Sequence, residues 1–115
     1  MKDLNNVTVT GRVVRTAETK VLASGDLLAK TSLAISRPHK VKEEWTNETT
    51  FIDITLWGKN AEHFVEKVEK GDLIIVEASI HQNKWITPEG ENRSKIGFNV
   101  NSFTKIPLPR KQPEF

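Results

Sequence analysis

Cysteine is absent from the 115 residues. That absence excludes disulfides, a thiolate metal site and a cysteine nucleophile. Tyrosine is also missing, methionine occurs once, and no run nears the ~20 apolar residues of a membrane helix. "MKDLNN" leads straight into an alternating pattern rather than the apolar stretch of a signal peptide. A cytoplasmic protein without membrane attachment is therefore expected, and the Asn-x-Ser/Thr triplets at Asn6, Asn47 and Asn92 read as chance. Catalytic signatures are equally scarce. Gly58-Lys59 is followed by Asn60 and lacks the upstream glycine of a phosphate loop. His39, His63 and His81 have no metal-ligand spacing, Asp53 has no acid partner in its strand, and no serine sits in a nucleophile elbow. Neither catalysis nor a metal or other cofactor is implied.

What is present suffices for one compact domain: 37% apolar residues and a net charge of +2. So mild a positive charge decides nothing about partners, and the placement of the charges matters more. "NNVTVTGRVV" alternates Val7, Val9, Gly11 and Val13 against Thr8, Thr10 and Arg12, a half-buried strand. A turn at Ser24-Gly25-Asp26 leads to "LAKTSLAIS", a second strand that Pro38 is expected to end. Residues 37–50 show neither helical nor strand period and read as a long charged hairpin loop, a kind of segment that is usually functional. A third strand spans 50–57 and closes at Gly58. Ala61, Phe64, Val65 and Val68 then mark a short amphipathic helix, with Gly71 as its C-terminal cap. A long fourth strand aligns Ile74, Val76, Ala78 and Ile80 and runs to the Pro88-Glu89-Gly90 turn, and a fifth aligns Ile96, Phe98 and Val100. Three strands, a helix and two strands match an all-β, five-stranded Greek-key barrel with one helix between strands 3 and 4, the OB-fold. The domain is expected over residues 1–105, with a short, frayed, proline-rich tail at 106–115.

The strand at 50–57 points Ile52, Ile54 and Leu56 to one side and Phe51, Asp53, Thr55 and Trp57 to the other. Aromatics on the face otherwise offered to water call for a reason. Trp85 and Trp45 are likewise set in polar surroundings. Singly, each could pack at a barrel end or an interface. Together they are interleaved with Arg37, His39, Lys40, Lys42, Lys59 and Lys84. Flat rings beside mobile cations suit the bases and phosphates of a single strand, whereas a duplex conceals its base faces. Phe51 and Trp57, six residues apart, are separated by about 20 Å of strand, too far for adjacent bases.

"NNVTVTGRV", the stretch around "AISRPHK…ETTFIDITLWGKNAE", "KGDLIIVEASI" and "NKWITPEGENR" together resemble the bacterial single-stranded DNA-binding proteins, over about residues 5–103. The resemblance implies an OB-fold homotetramer that wraps single-stranded DNA for replication, recombination and repair, in association with the nucleoid. It matches Phe51, Trp57 and Trp85 to stacking aromatics, and leaves open whether His39 or Trp45 fills a fourth position in the hairpin loop. Lys59, Lys84 and Arg12 match phosphate-contacting cations. The pattern departs at the end, where "PRKQPEF" stands in place of an acidic tip, so tip-dependent recruitment of replication and repair enzymes does not carry over. Two other readings stay open: a primosome accessory protein of the same fold, and an OB module for oligosaccharide or protein.

Overall fold

A computed structural model describes residues 1–107. The elements in chain order are β1 (Val7–Val13), β2 (Glu18–Val21), β3 (Leu27–Val41), β4 (Glu44–Trp57), α1 (Gly58–Lys67), β5 (Leu73–Ile86) and β6 (Asn92–Lys105). The sheet runs β1-β5-β6-β4-β3-β2, and β1 returns to pair with β3 through Arg12↔Ala34 and Val13↔Leu33. That return closes the barrel. Strand β2, which the sequence pattern did not reveal, pairs with β3 at Leu27–Lys30 beside the β1 contact. Strands β1 and β2 therefore act as one broken stave, and the barrel keeps the expected five. Strand β1 pairs with β5 along Val7–Arg12, while its other edge is free of intramolecular pairing up to Gly11.

Alternation explains the core. Ile54 and Leu56 of β4, Ile74, Val76 and Ala78 of β5, Leu33 and Ala29 of β3 and Val13 of β1 are all buried. The helix lays Ala61 and Phe64 over this interior, Val68 joins them from just past its end, and Phe64 sits edge-on to Phe103 at 5.2 Å between ring centroids. Gly11 is needed where β1 meets β3, because a Cβ there would stand 3.0 Å from the Ala34 carbonyl oxygen.

Several sequence expectations change. Residues 37–50 form no irregular loop: β3 and β4 stay paired out to Val41↔Glu44 across a two-residue turn, Lys42 and Glu43, both at positive φ. Both faces of this arm project beyond the core, so no period-2 pattern of burial is written into it. Pro38 does not end β3 but pairs with Asn47. Beyond Ala34, β3 has a partner on one side only, and an edge strand tolerates a missing N–H. The third strand accordingly starts at Glu44 rather than residue 50. Gly58 opens the helix instead of closing a strand, and the helix ends at Lys67 with Val68 as its cap. Gly71 lies beyond it at φ +93, where its N–H donates to the Val13 carbonyl at 2.7 Å. Ile80 and Ile96 keep the expected phase but lie past the end of the core and are exposed, as is Val65 on the helix. The tail from residue 108 lies outside the described residues; Ile106 still donates its N–H to the Leu73 carbonyl.

Removing the Phe64 ring should open a cavity beneath α1. Phe64→Ala is expected to lower stability by about 3–5 kcal/mol in a denaturant titration. A loss below ~1 kcal/mol would show that the helix is not anchored through this ring.

Candidate nucleic-acid interface

Cross-strand register assigns every side chain of the sheet to a face, since directly opposed residues point the same way. Phe51 opposes Ala34, which in turn opposes Arg12 of β1. Trp57 opposes Leu28, which opposes Lys20 of β2. Thr55 lies between Lys30 of β3 and Asn99 of β6, and Lys30 opposes Glu18. Trp45, in phase with Phe51 and Trp57 along the unbroken β4 register, opposes Lys40, whose ammonium sits 5.8 Å from the indole centroid. On the neighbouring arm, Asn99, Gly97, Lys95 and Arg93 of β6 continue this face, opposed by Ser79, His81, Asn83 and Trp85 of β5. One outer face therefore carries Trp45, Phe51, Trp57 and Trp85.

All four rings are accessible: Trp45 is 71% exposed, Phe51 65%, Trp85 48% and Trp57 43%. None of them is core. Register also separates the two candidates in the hairpin. His39 opposes Thr46 on the reverse face of the arm, with its Nδ1 3.5 Å from the Glu48 carboxylate. Trp45 shares the face of Phe51 and Trp57, and His39 does not.

The cations divide in the same way. Arg12 and Lys40 stand on the aromatic face, and Lys42 occupies the arm's turn. Arg37 and Lys84 alternate onto the reverse side, Arg37 opposite Glu48 and Lys84 opposite Ser94. Lys59 is exposed on the first turn of α1, just after Trp57. Sequence reasoning missed Lys20, Lys30, Arg93 and Lys95, which stand on the aromatic face. It weighted cations next to aromatics in the chain, whereas contact across a sheet follows alternation. A signal was there: Arg93, Lys95 and Gly97 are out of phase with apolar Ile96, Phe98 and Val100.

A polar chain crosses the centre of this face. Arg15 donates to Ser32 Oγ at 2.9 Å, Ser32 donates to Asp53 Oδ1 at 2.7 Å, and Lys95 pairs with Asp53 Oδ2. The Lys95 hydrogen bond, then that from Ser32, holds the Asp53 carboxyl below its ordinary value of 3.8. Main-chain pairing between β4 and β6 is limited to Ile54↔Phe98 and Thr55↔Asn99. The Asp53–Lys95 pair therefore joins the two hairpin arms next to their only backbone junction. Among the described residues, no three His, Asp or Glu side chains gather as a metal site. No helix of the described residues is long and apolar enough to cross a membrane.

The model of the single-strand binding protein family matches residues 4–106. The chain belongs to that family. Relatives from the same family include the single-stranded DNA-binding protein of Treponema pallidum, 38% identical over 102 residues that cover 89% of this chain and 57% of that protein. The single-stranded DNA-binding protein 1 of Synechocystis is 30% identical over 112 residues, covering 96% of this chain and 90% of that one. The chain thus spans little more than half of the Treponema relative and nearly all of the Synechocystis one. Among solved structures, the Plasmodium falciparum SSB in complex with ssDNA superposes with a TM-score of 0.80 at 26% identity, over 95% of this chain and 98% of that chain. The five-stave barrel with one helix is the OB-fold that such neighbours share.

In this family member, the Asp53 carboxyl should report the junction between the arms. A carboxyl whose folded value lies below its unfolded one adds stability that is complete above the unfolded value, near pH 4, and is lost as pH falls through the folded one. Lys95→Met should raise the Asp53 midpoint in a carbon-13 NMR titration and shrink the loss of stability on acidification. An unmoved midpoint would place the cause of the shift elsewhere.

Proposed function

We propose that the protein binds single-stranded DNA with little dependence on sequence, shielding exposed strands in the cytoplasm during replication, recombination and repair. The observation that carries this reading is the shared face of Trp45, Phe51, Trp57 and Trp85, with Arg12, Lys20, Lys30, Lys40, Arg93 and Lys95 set between and around them. Bases stack on rings while cations follow phosphates, and stacking accepts every base because each has a π face. Family membership and the resemblance to an SSB in complex with ssDNA support the same conclusion. Catalysis forms no part of it. A homotetramer is part of the proposal, assembled by pairing of the free β1 edge at Val7–Gly11 and then by packing of the resulting pairs. Light scattering at micromolar concentration should report four copies, and a monomer that retains DNA binding would remove this element alone.

Tryptophan fluorescence should change on titration with oligo(dT) and respond far less to duplex DNA. Phe51→Ala, Trp57→Ala and Trp85→Ala should each weaken oligo(dT) binding by about 1–3 kcal/mol without loss of fold. Trp45→Ala should cost more than His39→Ala, since Trp45 shares the face of Phe51 and Trp57 and His39 lies on the reverse one. A variant that binds like the parent but melts much lower would mark its ring as structural.

Affinity should fall as salt rises, with a log–log slope of about −0.7 per phosphate neutralised. Lys30→Ala and Lys40→Ala should flatten that slope more than Arg37→Ala or Lys84→Ala. Salt-independent association would defeat the proposal and favour an OB module for sugar or protein.

A further inference from the structure

Asp53 stands at the centre of a face rich in aromatics and cations. Beside it lies a cavity of about 160 Å³ whose charged lining sets Arg15, Lys30 and Lys95 against Asp53 and Glu18, an excess of positive charge. The three cations differ in their commitments. Among the described residues, Arg15 and Lys30 join no ion pair, while Lys95 is held by Asp53 Oδ2. Asp53 keeps Oδ1 on Ser32, which opposes it in β3 and also accepts a hydrogen bond from Arg15. Asn83 of β5, opposite Lys95, is neutral. The Asp53–Lys95 pair is open to water, with 45% of the Asp53 side chain and 64% of that of Lys95 accessible. An exposed ion pair is weak, so a second anion can take one of its partners.

Position decides which anion arrives. Asp53 lies two residues from Phe51 and four from Trp57 on the same side of β4, about 7 Å and about 13 Å along the strand. A single strand stacked on both rings spans this cavity. Resting on the single-strand reading above, we propose that the cavity is a phosphodiester site that Asp53 serves as an internal anion in the free protein, and that a backbone phosphate displaces the carboxylate from Lys95 on binding. Lys95 then donates to the phosphate oxygens, with Arg15 and Lys30 also lining the site, and Asp53 retains Ser32. The carboxylate has two effects. It keeps Lys95 over the cavity when no strand is bound. It also lowers affinity, because binding must break the pair and bring a phosphate close to a second negative charge.

A double-mutant cycle on oligo(dT) affinity, read by tryptophan fluorescence, tests the exchange. Asp53→Asn should tighten binding about fivefold, since the competing charge is gone while the amide oxygen can still accept from Ser32. Lys95→Met should weaken binding and flatten the log–log salt slope by about 0.7, the share of one phosphate. The coupling between them decides. Exchange makes Lys95→Met cost about two- to fivefold more in the Asp53→Asn background than in the parent, because there binding has no ion pair to break. Equal losses in the two backgrounds overturn the exchange, since Lys95 would then serve carboxylate and phosphate together. A Lys95→Met protein with the parent's affinity and salt slope overturns the phosphate site, and this arm does not depend on the folding of any Asp53 variant. A parent that fails to bind oligo(dT) defeats the single-strand reading itself, whereas a parent that binds, with additive losses, defeats only the exchange.

Discussion

The register of β4 against β3 is the constraint on which the rest depends. Ile54 and Leu56 are fully buried on one side of β4, and Phe51, Asp53, Thr55 and Trp57 point to the other. A one-residue slip would reverse both sets, driving a carboxylate and two large aromatics into the interior. The buried aliphatic residues therefore specify the presentation of the rings. They hold Phe51 and Trp57 facing outward without any hydrogen bond to those rings. The closing pair of β1 with β3 adds to this, because the same row that ends at Phe51 begins at Arg12.

Two hairpin arms extend the barrel into a groove. The β3–β4 arm carries Trp45 to its far end and the β5–β6 arm carries Trp85 close to its turn. Both arms are held by main-chain ladders rather than burial, so their side chains are free to serve a ligand. Between the arms, backbone pairing is confined to two residues of β4 and two of β6. Side chains must do the remaining joining, and the Arg15–Ser32–Asp53–Lys95 chain lies at that place. A polar junction of this kind is accessible to water and screened by it. It orients groups more than it stabilises the fold.

Charge on the aromatic face is thus patterned rather than uniform. Arg12, Lys20 and Lys30 stand toward the β1–β2 side and Arg93 toward the β5–β6 arm, with Asp53 between them. The net charge of +2 conveys none of this, because the reverse faces of the arms carry both signs, Glu48 beside His39 and Arg37 among them.

Alternation of apolar and polar residues was enough, by itself, to indicate the strands, the helix between the third and fourth, the barrel class and the outward aromatics. Those features are local: each follows from which of two neighbouring residues seeks the core. The arm at 37–50 was illegible for the same reason, since a ladder exposed on both faces leaves no trace in hydrophobicity. Strand β2 was hidden likewise, being four exposed residues held by main-chain bonds to β3. Only the tertiary structure decided that Trp45, and not His39, joins Phe51 and Trp57. It alone moved Arg37 and Lys84 to the reverse faces and brought Lys20, Lys30 and Lys95 forward. The physical reason is that a sheet assembles its surface across strands, from residues dozens of positions apart, and register between strands is settled by packing that no single segment contains.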